Sequence, residues 1–205
     1  MSKEKIKLTD IIDTKIIHGF YAGSLLVSTP DITDPRFSRS VIYLISHNEK
    51  GAMGFIINKP IEDICFSDII KIKGSKKKID TNINKNNRVL FGGPVEFKSG
   101  FLLHSTDYKI ENTTLKINDH FCLTNDTMAI SDINEGKGPV SSLFMLGYAG
   151  WTPGQLEKEI MQNSWLVAKA DPELVFSNSY SDKYNLSLEL LGIKNAFFSS
   201  SSGQA

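Results

Sequence analysis

Apolar positions in this chain gather in short runs separated by polar punctuation, a pattern that predicts many strands and few long helices. Gly23–Thr29 (GSLLVST) is the first such run, stopped by Pro30 and the turn-prone DITDPRF, and it predicts a buried strand. Arg39–Ser46 (RSVIYLIS) carries β-branched and aromatic residues on both parities, which predicts a strand buried on both faces. HNEKGA then leads into Met53–Asn58 (MGFIIN), so the two runs form a hairpin that Lys59-Pro60 is expected to end. Further strands are expected at Arg88–Phe91 and Gly100–His104, separated by GGPVEFKS, and at Val140–Tyr148.

Helical signals are sparser. Ser67–Lys73 has a capping residue, an acidic first turn and Gly74 behind it, which predicts a short helix. Asn125–Ile133 reads equally as helix or strand, since the caps are present but the apolar spacing is weak. Thr152-Pro153-Gly154-Gln155 has the form of a capping box with Thr152 at N-cap, predicting a helix to about Asn163 with Leu156 and Ile160 stacked on one side. Trp165–Ala168 then predicts a strand, Asp171-Pro172 a short helix, and Ser181 the start of a last helix. Tyr184, Leu188 and Leu191 share a face of that helix before Gly192 stops it. The mixture lacks a regular βαβ alternation and contains an antiparallel hairpin, so the expected class is α+β in one domain over residues 19–198. A polar segment (1–18) and a Ser-rich tail (199–205) are expected to be accessory.

Composition narrows the class of function. The 205 residues are 40% hydrophobic, enough for a core, and 23 basic residues balance 23 acidic ones, which excludes a dedicated nucleic-acid coat. Charges interrupt the first twenty residues too often for a secretory signal, and no apolar run is long enough for a membrane span. Cys65 and Cys122 match no zinc spacing and form no C-x-x-C pair, so they read as buried, reduced thiols in a cytoplasmic protein. The nucleophile elbow, the phosphate-binding loop and the H-E-x-x-H zinc signature are all missing; no cofactor and no metal is expected.

Three blocks then carry a resemblance. GSLLVSTPDITDPRFSRSVIYLISHNEKGAMGFIINKP, LFGGPVEFKSGFLLHS and LGYAGWTPGQLEKEIMQNSWL, in this order, resemble the AlgH (YqgE) family of bacterial proteins. The resemblance implies a bifurcated, mostly antiparallel, barrel-like sheet flanked by helices, in cytoplasmic proteins without an established biochemical activity. The family name reflects a proposed regulatory role in exopolysaccharide production, and no catalytic or binding residue comes with it.

The residues themselves nominate several sites, each with a structural competitor. His47, Asn58 and His104 sit at predicted strand ends, where a histidine can act as base, ligand or donor; alternatively each satisfies a turn or a backbone group. A Ser105, His47 and Asp107 set can be written down, but no spacing supports it. Gly92 and Gly93 could present an anion-binding nest or simply a tight turn by which a strand leaves the sheet, and Glu96 behind them could pair with Arg39. Tyr148, Trp151 and Thr152 lead into the capped helix, where free amides favour an anion; the competing view makes the aromatics core residues. Lys71, Lys73, Lys76, Lys77, Lys78, Lys85 and Arg88 form a basic patch without interleaved aromatics, which favours a solvated loop over nucleic-acid binding. The expected function is a non-enzymatic regulator or adaptor that binds a protein partner or a small anionic ligand. The alternatives are an unrecognised enzyme near His47, Asn58 and His104, and nucleic-acid binding by the basic patch.

Overall fold

Strands β1 (Ser24–Ser28), β2 (Val41–Asn48) and β3 (Gly51–Ile56) pair antiparallel in sequence order, as their apolar runs predict. The structure is a computed structural model and describes residues 20–66, 68, 69 and 88–193. The two accessory ends, the Ser67–Lys73 helix and Lys71 to Lys85 of the basic patch lie wholly or mostly outside those residues. Seven of the eight β2 residues are buried because both faces of the strand are covered. Leu25, Val27, Val41, Tyr43, Ile45 and Phe55 point into the main core, while Leu26, Ile42, Leu44 and Ile56 point the opposite way into a second cluster.

The remaining elements are β4 (Pro60–Cys65), β5 (Arg88–Phe91), β6 (Val95–His104), β7 (Thr114–Lys116), β8 (Cys122–Thr124), β9 (Ser142–Trp151) and β10 (Trp165–Lys169), with helices α1 (Thr127–Asn134), α2 (Gln155–Met161), α3 (Pro172–Phe176) and α4 (Lys183–Leu190). The strand order is β10-β1-β2-β3-β9-β6-β8-β7, curled into a half-barrel, with β4 and β5 forming a branch off β9. All pairings are antiparallel except β5 with β9. The sheet is therefore forked, and the class is α+β. The interior of the curl holds the main core; α2 covers one outer patch through Leu156, and α1 covers another through Ala129, Ile130 and Ile133.

Several boundaries differ from expectation for identifiable reasons. The hairpin ends at Ile56, before Lys59-Pro60, and Pro60 also opens β4, as a proline can at the first residue of a strand. The three-residue β7 and β8 are too short to show a period. α1 resolves the ambiguous segment as helix, capped by the Asp126 carboxylate accepting from Met128 N–H at 2.9 Å. Thr152 is not the N-cap of α2: Gly154, at φ 73°, occupies that place and the helix starts at Gln155. Half of the predicted box survives, because Oε1 of Gln155 accepts both the N–H and the hydroxyl of Thr152 at 3.0 Å.

The fork lies at Gly147. Residues Phe144–Leu146 of β9 carry β5 on one edge and β6 on the other, whereas Ala149–Trp151 carry β3 on the edge that β5 has just left. To pass from β5 to β6 the chain must cross β9, and it does so through Gly92-Gly93-Pro94. Gly92 N–H donates to Leu146 O and Gly92 O accepts from Ile56 N–H, both at 2.9 Å, stitching β3 to β9 beside the crossing. A Cβ on Gly93 (φ 154°) would stand 2.1 Å from the carbonyl carbon of Tyr148, and one on Gly147 (φ 69°) would stand 2.4 Å from Gly93 O. Backbone meets backbone there, so no side chain fits. The Gly92 amide is committed to the sheet through Leu146 O.

Gly93→Ala is expected to cost more than about 3 kcal/mol of unfolding free energy, the upper range for overpacking a rigid site. Gly154→Ala, at a left-handed φ of 73° but with nothing within 4 Å of its Cβ, should cost only about 1–2 kcal/mol. Equal losses in urea titrations of the two variants would contradict the steric account of the crossing.

Candidate functional site

Helix α2 presents Gln155 and Glu159 one turn apart, with Leu156 turned into the core. The chain enters α2 from Trp151, the last residue of β9, and leaves it towards Trp165, the first residue of β10. The chain's two tryptophans therefore bracket the helix, their rings edge to face at 6.0 Å. Both indole N–H groups donate to the same carboxylate oxygen, Oε2 of Glu159, at 2.9 Å from Trp151 and 2.8 Å from Trp165. Gln155 Nε2 donates to Oε1 at 2.9 Å. Three neutral donors thus hold one carboxylate in a fixed orientation.

Opposite the helix runs the loop that follows β1. Phe37 meets Trp165 edge to face at 6.2 Å, and Asp34 takes the Arg36 guanidinium through both carboxylate oxygens. That fork pulls the Asp34 pKa down to about 2. Lys59 pins the loop from below by donating to Pro35 O at 2.9 Å. Between loop and helix lies a cleft of about 370 Å³ lined by Ile32, Thr33, Asp34, Phe37, Gly150, Trp151, Gln155, Glu159, Ser164 and Trp165. Its volume falls in the range of small-molecule sites. Arg36 and Lys59 both face Asp34, whereas the hydrogen-bond partners of Glu159 among the described residues are all neutral, so no described cation pairs with its carboxylate. The segment expected to favour an anion is thus bordered by Glu159 and by Glu157 in the first turn of the helix.

Trp151 belongs to this cleft and Thr152 adjoins it through Gln155; the other predicted residues lie elsewhere. His104 pairs with Ser142 at one end of β9, and His47 pairs with Ala52, which pairs with Trp151 at the other end. Nine residues of β9, roughly 30 Å of strand, separate the two positions. Asn58 completes the ladder at the start of β2, the opposite end from His47, accepting from Val41 N–H at 2.8 Å and donating to Arg39 O at 2.9 Å. His47, Asn58 and His104 do not share a pocket.

Each histidine has its own structural setting. His104 is fully buried; Nδ1–H donates to Ser105 O at 2.8 Å and Nε2 accepts from Thr124 Oγ1 at 2.9 Å. Thr114 Oγ1 lies 2.7 Å from Thr124 Oγ1 and accepts from Ile110 N–H, so the chain of bonds crosses β6, β8 and β7. Burial holds the His104 pKa below its ordinary value and keeps the ring neutral. His47, also fully buried, lies between Phe20 and Tyr21, with Nε2 3.1 Å from a Glu157 oxygen but off the line of a hydrogen bond. Ser105 donates to Asp107, which accepts from Val140 N–H, so this pair fixes a loop and the Ser105-His47-Asp107 set does not form.

Glu96 is exposed and accepts from Ser99 Oγ at 3.3 Å, not from Arg39. The Arg39 guanidinium instead lies 4.4 Å from the Tyr184 ring centre and donates to Asn185. Tyr148 packs edge to face on Phe101 at 6.1 Å. Gly92 and Gly93 form the crossing. Arg88, the one described member of the basic patch, lines an open polar cleft with Asn58, Glu62, Tyr180 and Asp182. Cys122 is buried, which pushes its thiol pKa up and away from reactivity. Among the described residues, no three His, Cys, Asp or Glu side chains group to hold a metal ion, and no helix is long and apolar enough to cross a membrane.

Sequence reasoning missed Glu159 and Trp165. A signal was present: Gln155 and Glu159 are four apart, and the two tryptophans flank the helix that carries them. It also missed Lys183, whose ammonium is fully buried at the start of α4 and donates to Ile57 O at 3.1 Å and Val175 O at 2.6 Å. The Tyr180 ring covers it at 5.0 Å. Desolvation lowers its pKa to about 7, and no carboxylate among the described residues offsets the cost.

A forked half-barrel with helices on its outer faces, bearing a cleft and, among the described residues, no assembled catalytic set, defines a class of fold more than a chemistry. Comparison with known proteins gives the same architecture a family: residues 25–196 match the AlgH-like family model, and the chain belongs to that family. A UPF0301 protein of Bradyrhizobium sp. is 44% identical over 203 residues, covering 97% of this chain and 94% of its own. One from Methylobacterium sp. is 45% identical, covering 91% of each. The solution structure of the AlgH protein from Pseudomonas aeruginosa is similar at a TM-score of 0.72 and 31% identity, over 89% of this chain and 95% of that one. A Corynebacterium diphtheriae protein of 22% identity shares the fold at a TM-score of 0.64, over 80% of this chain and 86% of its own.

Thr124→Val leaves the buried Nε2 of His104 without a donor and should cost about 1–3 kcal/mol by chemical denaturation; a loss under about 0.5 kcal/mol would contradict that role. For Lys183 the sign is set by its depressed pKa. Below pH 7 the folded state must keep a buried charge, and between about 7 and 10.5 it binds fewer protons than the unfolded chain. Stability contributed by this group therefore rises with pH across that window, by at most about 1.4 kcal/mol per pH unit. Relative to Lys183→Met, the wild type should gain stability from pH 7 to 10, and a pH-independent difference would contradict the assignment.

Proposed function

We propose that this chain is a binding protein, not an enzyme, and that it acts as a regulator or adaptor through the cleft between the Pro30–Ser38 loop and α2. The observation that carries this reading is the Glu159 carboxylate, oriented in advance by Trp151, Trp165 and Gln155 at the wall of an open cleft. Preorganised polar groups set in an apolar frame are what a recognition site requires, since little ordering remains to oppose binding. Several groups that would serve catalysis are engaged otherwise. His104 is bonded at both nitrogens, Ser105 and Asp107 tie down a loop, and Cys122 is buried with a raised pKa. The same reading places the protein in the cytoplasm, where buried Cys122 stays a thiol.

A photo-crosslinking side chain at Thr33, an exposed residue of the cleft rim, tests this in growing cells; the same group at exposed Lys137 is the control. Intact-mass measurement of the recovered chain registers small-molecule and protein adducts alike. A defined adduct at Thr33 that is missing at position 137 is expected. No adduct, or identical adducts at both positions, would sink the proposal that this cleft is the binding site.

A further inference from the structure

Taking the cleft as the binding site, we propose that it selects an organic cation: an alkylammonium or guanidinium group that donates to Oε1 of Glu159 and lies along the aromatic wall. A carboxylate offers about four lone pairs. Oε2 uses its two on the indole N–H groups of Trp151 and Trp165, while Oε1 receives only Gln155, so one acceptor position remains on Oε1. The charge of that carboxylate is also unspent. Its three partners are neutral, and the other acid of the cleft, Asp34, is already matched by Arg36.

The surroundings favour an organic group over a metal ion. Hard cations require several oxygen ligands, and here three acceptor positions of the carboxylate are closed by N–H groups that cannot ligate. Trp151, Trp165 and Phe37 supply the aromatic neighbours that attract an ammonium or guanidinium, and Ile32 supplies apolar surface for the carbon stem that bears it. Beside the cleft, Thr29 is 8% exposed, its hydroxyl has no partner, and its backbone bonds to lining residues Ile32 and Ser164. One polar group next to the site is therefore left unsatisfied by the protein itself. An anion would meet the uncompensated carboxylate instead. The cationic group could belong to a free amine or to an arginine side chain of a polypeptide; the recognition chemistry is the same.

Both tryptophans of the chain line the cleft, so intrinsic fluorescence reports occupancy directly. The full chain is titrated with agmatine, with a blocked Gly-Arg-Gly tripeptide and with inorganic phosphate. A saturable change in emission with at least one of the cations is expected, with a midpoint at least tenfold weaker in Glu159→Gln and weaker in the wild type as salt rises. A tighter midpoint for agmatine identifies a free amine, and a tighter one for the tripeptide a polypeptide side chain. If Glu159→Gln does not fold, the salt dependence and a several-fold weakening in Phe37→Ala provide the same test. No saturable response to either cation, or one unchanged in Glu159→Gln, overturns the proposal; so does a response to phosphate alone. Should a Thr33 adduct form while neither cation binds, the cleft remains the binding site and only the ligand class fails.

Discussion

Everything in this fold is arranged around a place where the backbone crosses itself. Gly92 and Gly93 carry the chain over β9 at Gly147–Ala149 in backbone contact, because a strand that lies on one edge of β9 must continue on the other. Three glycines make the approach possible, and the bonds of Gly92 to Leu146 and Ile56 hold the two branches of the sheet together on either side of it. The fork then dictates where helices can pack. One outer face falls to α1 over Phe66, Val89 and Phe144, the other to α2 over Leu26, Ile42 and Ile56. Because β9 pairs with β3 beyond the fork, its last residue, Trp151, emerges beside α2 and opposite the loop after β1. The cleft is a product of the crossing.

Much of this was legible in the sequence. Runs with apolar residues on both parities announced strands buried on two faces, and Leu25 to Val27 and Val41 to Ile45 are all fully buried. What escaped was carried by residues whose meaning depends on distant partners. Pro60 read as the end of the hairpin and also opens β4; the strand expected to stop at Tyr148 runs on to Trp151, where it pairs with β3, a partner no local pattern announces. β7 and β8, three residues each, owe their pairing to Thr114, Thr124 and His104 more than to any local periodicity.

The site divides in the same way. Trp151 and Thr152 were visible as residues entering a capped helix. Glu159 was not, because a glutamate on a polar helix face looks like ordinary solubility until both indoles are seen converging on it. His47, Asn58 and His104 were drawn together by residue type and strand-end position, and the length of β9 keeps the two histidines at opposite ends. Lys183 is the clearest case of a group the sequence hides. It lies on the buried side of α4 with its charge unpaired, and its bonds to Ile57 O and Val175 O tie the helix layer to the hairpin end and to α3.

The crossing is tested most directly by native-state hydrogen exchange at two amides, Gly92 N–H and Ile56 N–H, which bond across the fork to Leu146 O and Gly92 O. If the crossing holds the two branches together, both amides open only with the whole molecule, and their exchange free energies equal the global unfolding free energy. Exchange at either amide through a local opening, with a free energy well below that of the β2–β3 ladder, would show that the branches separate on their own and would contradict the account.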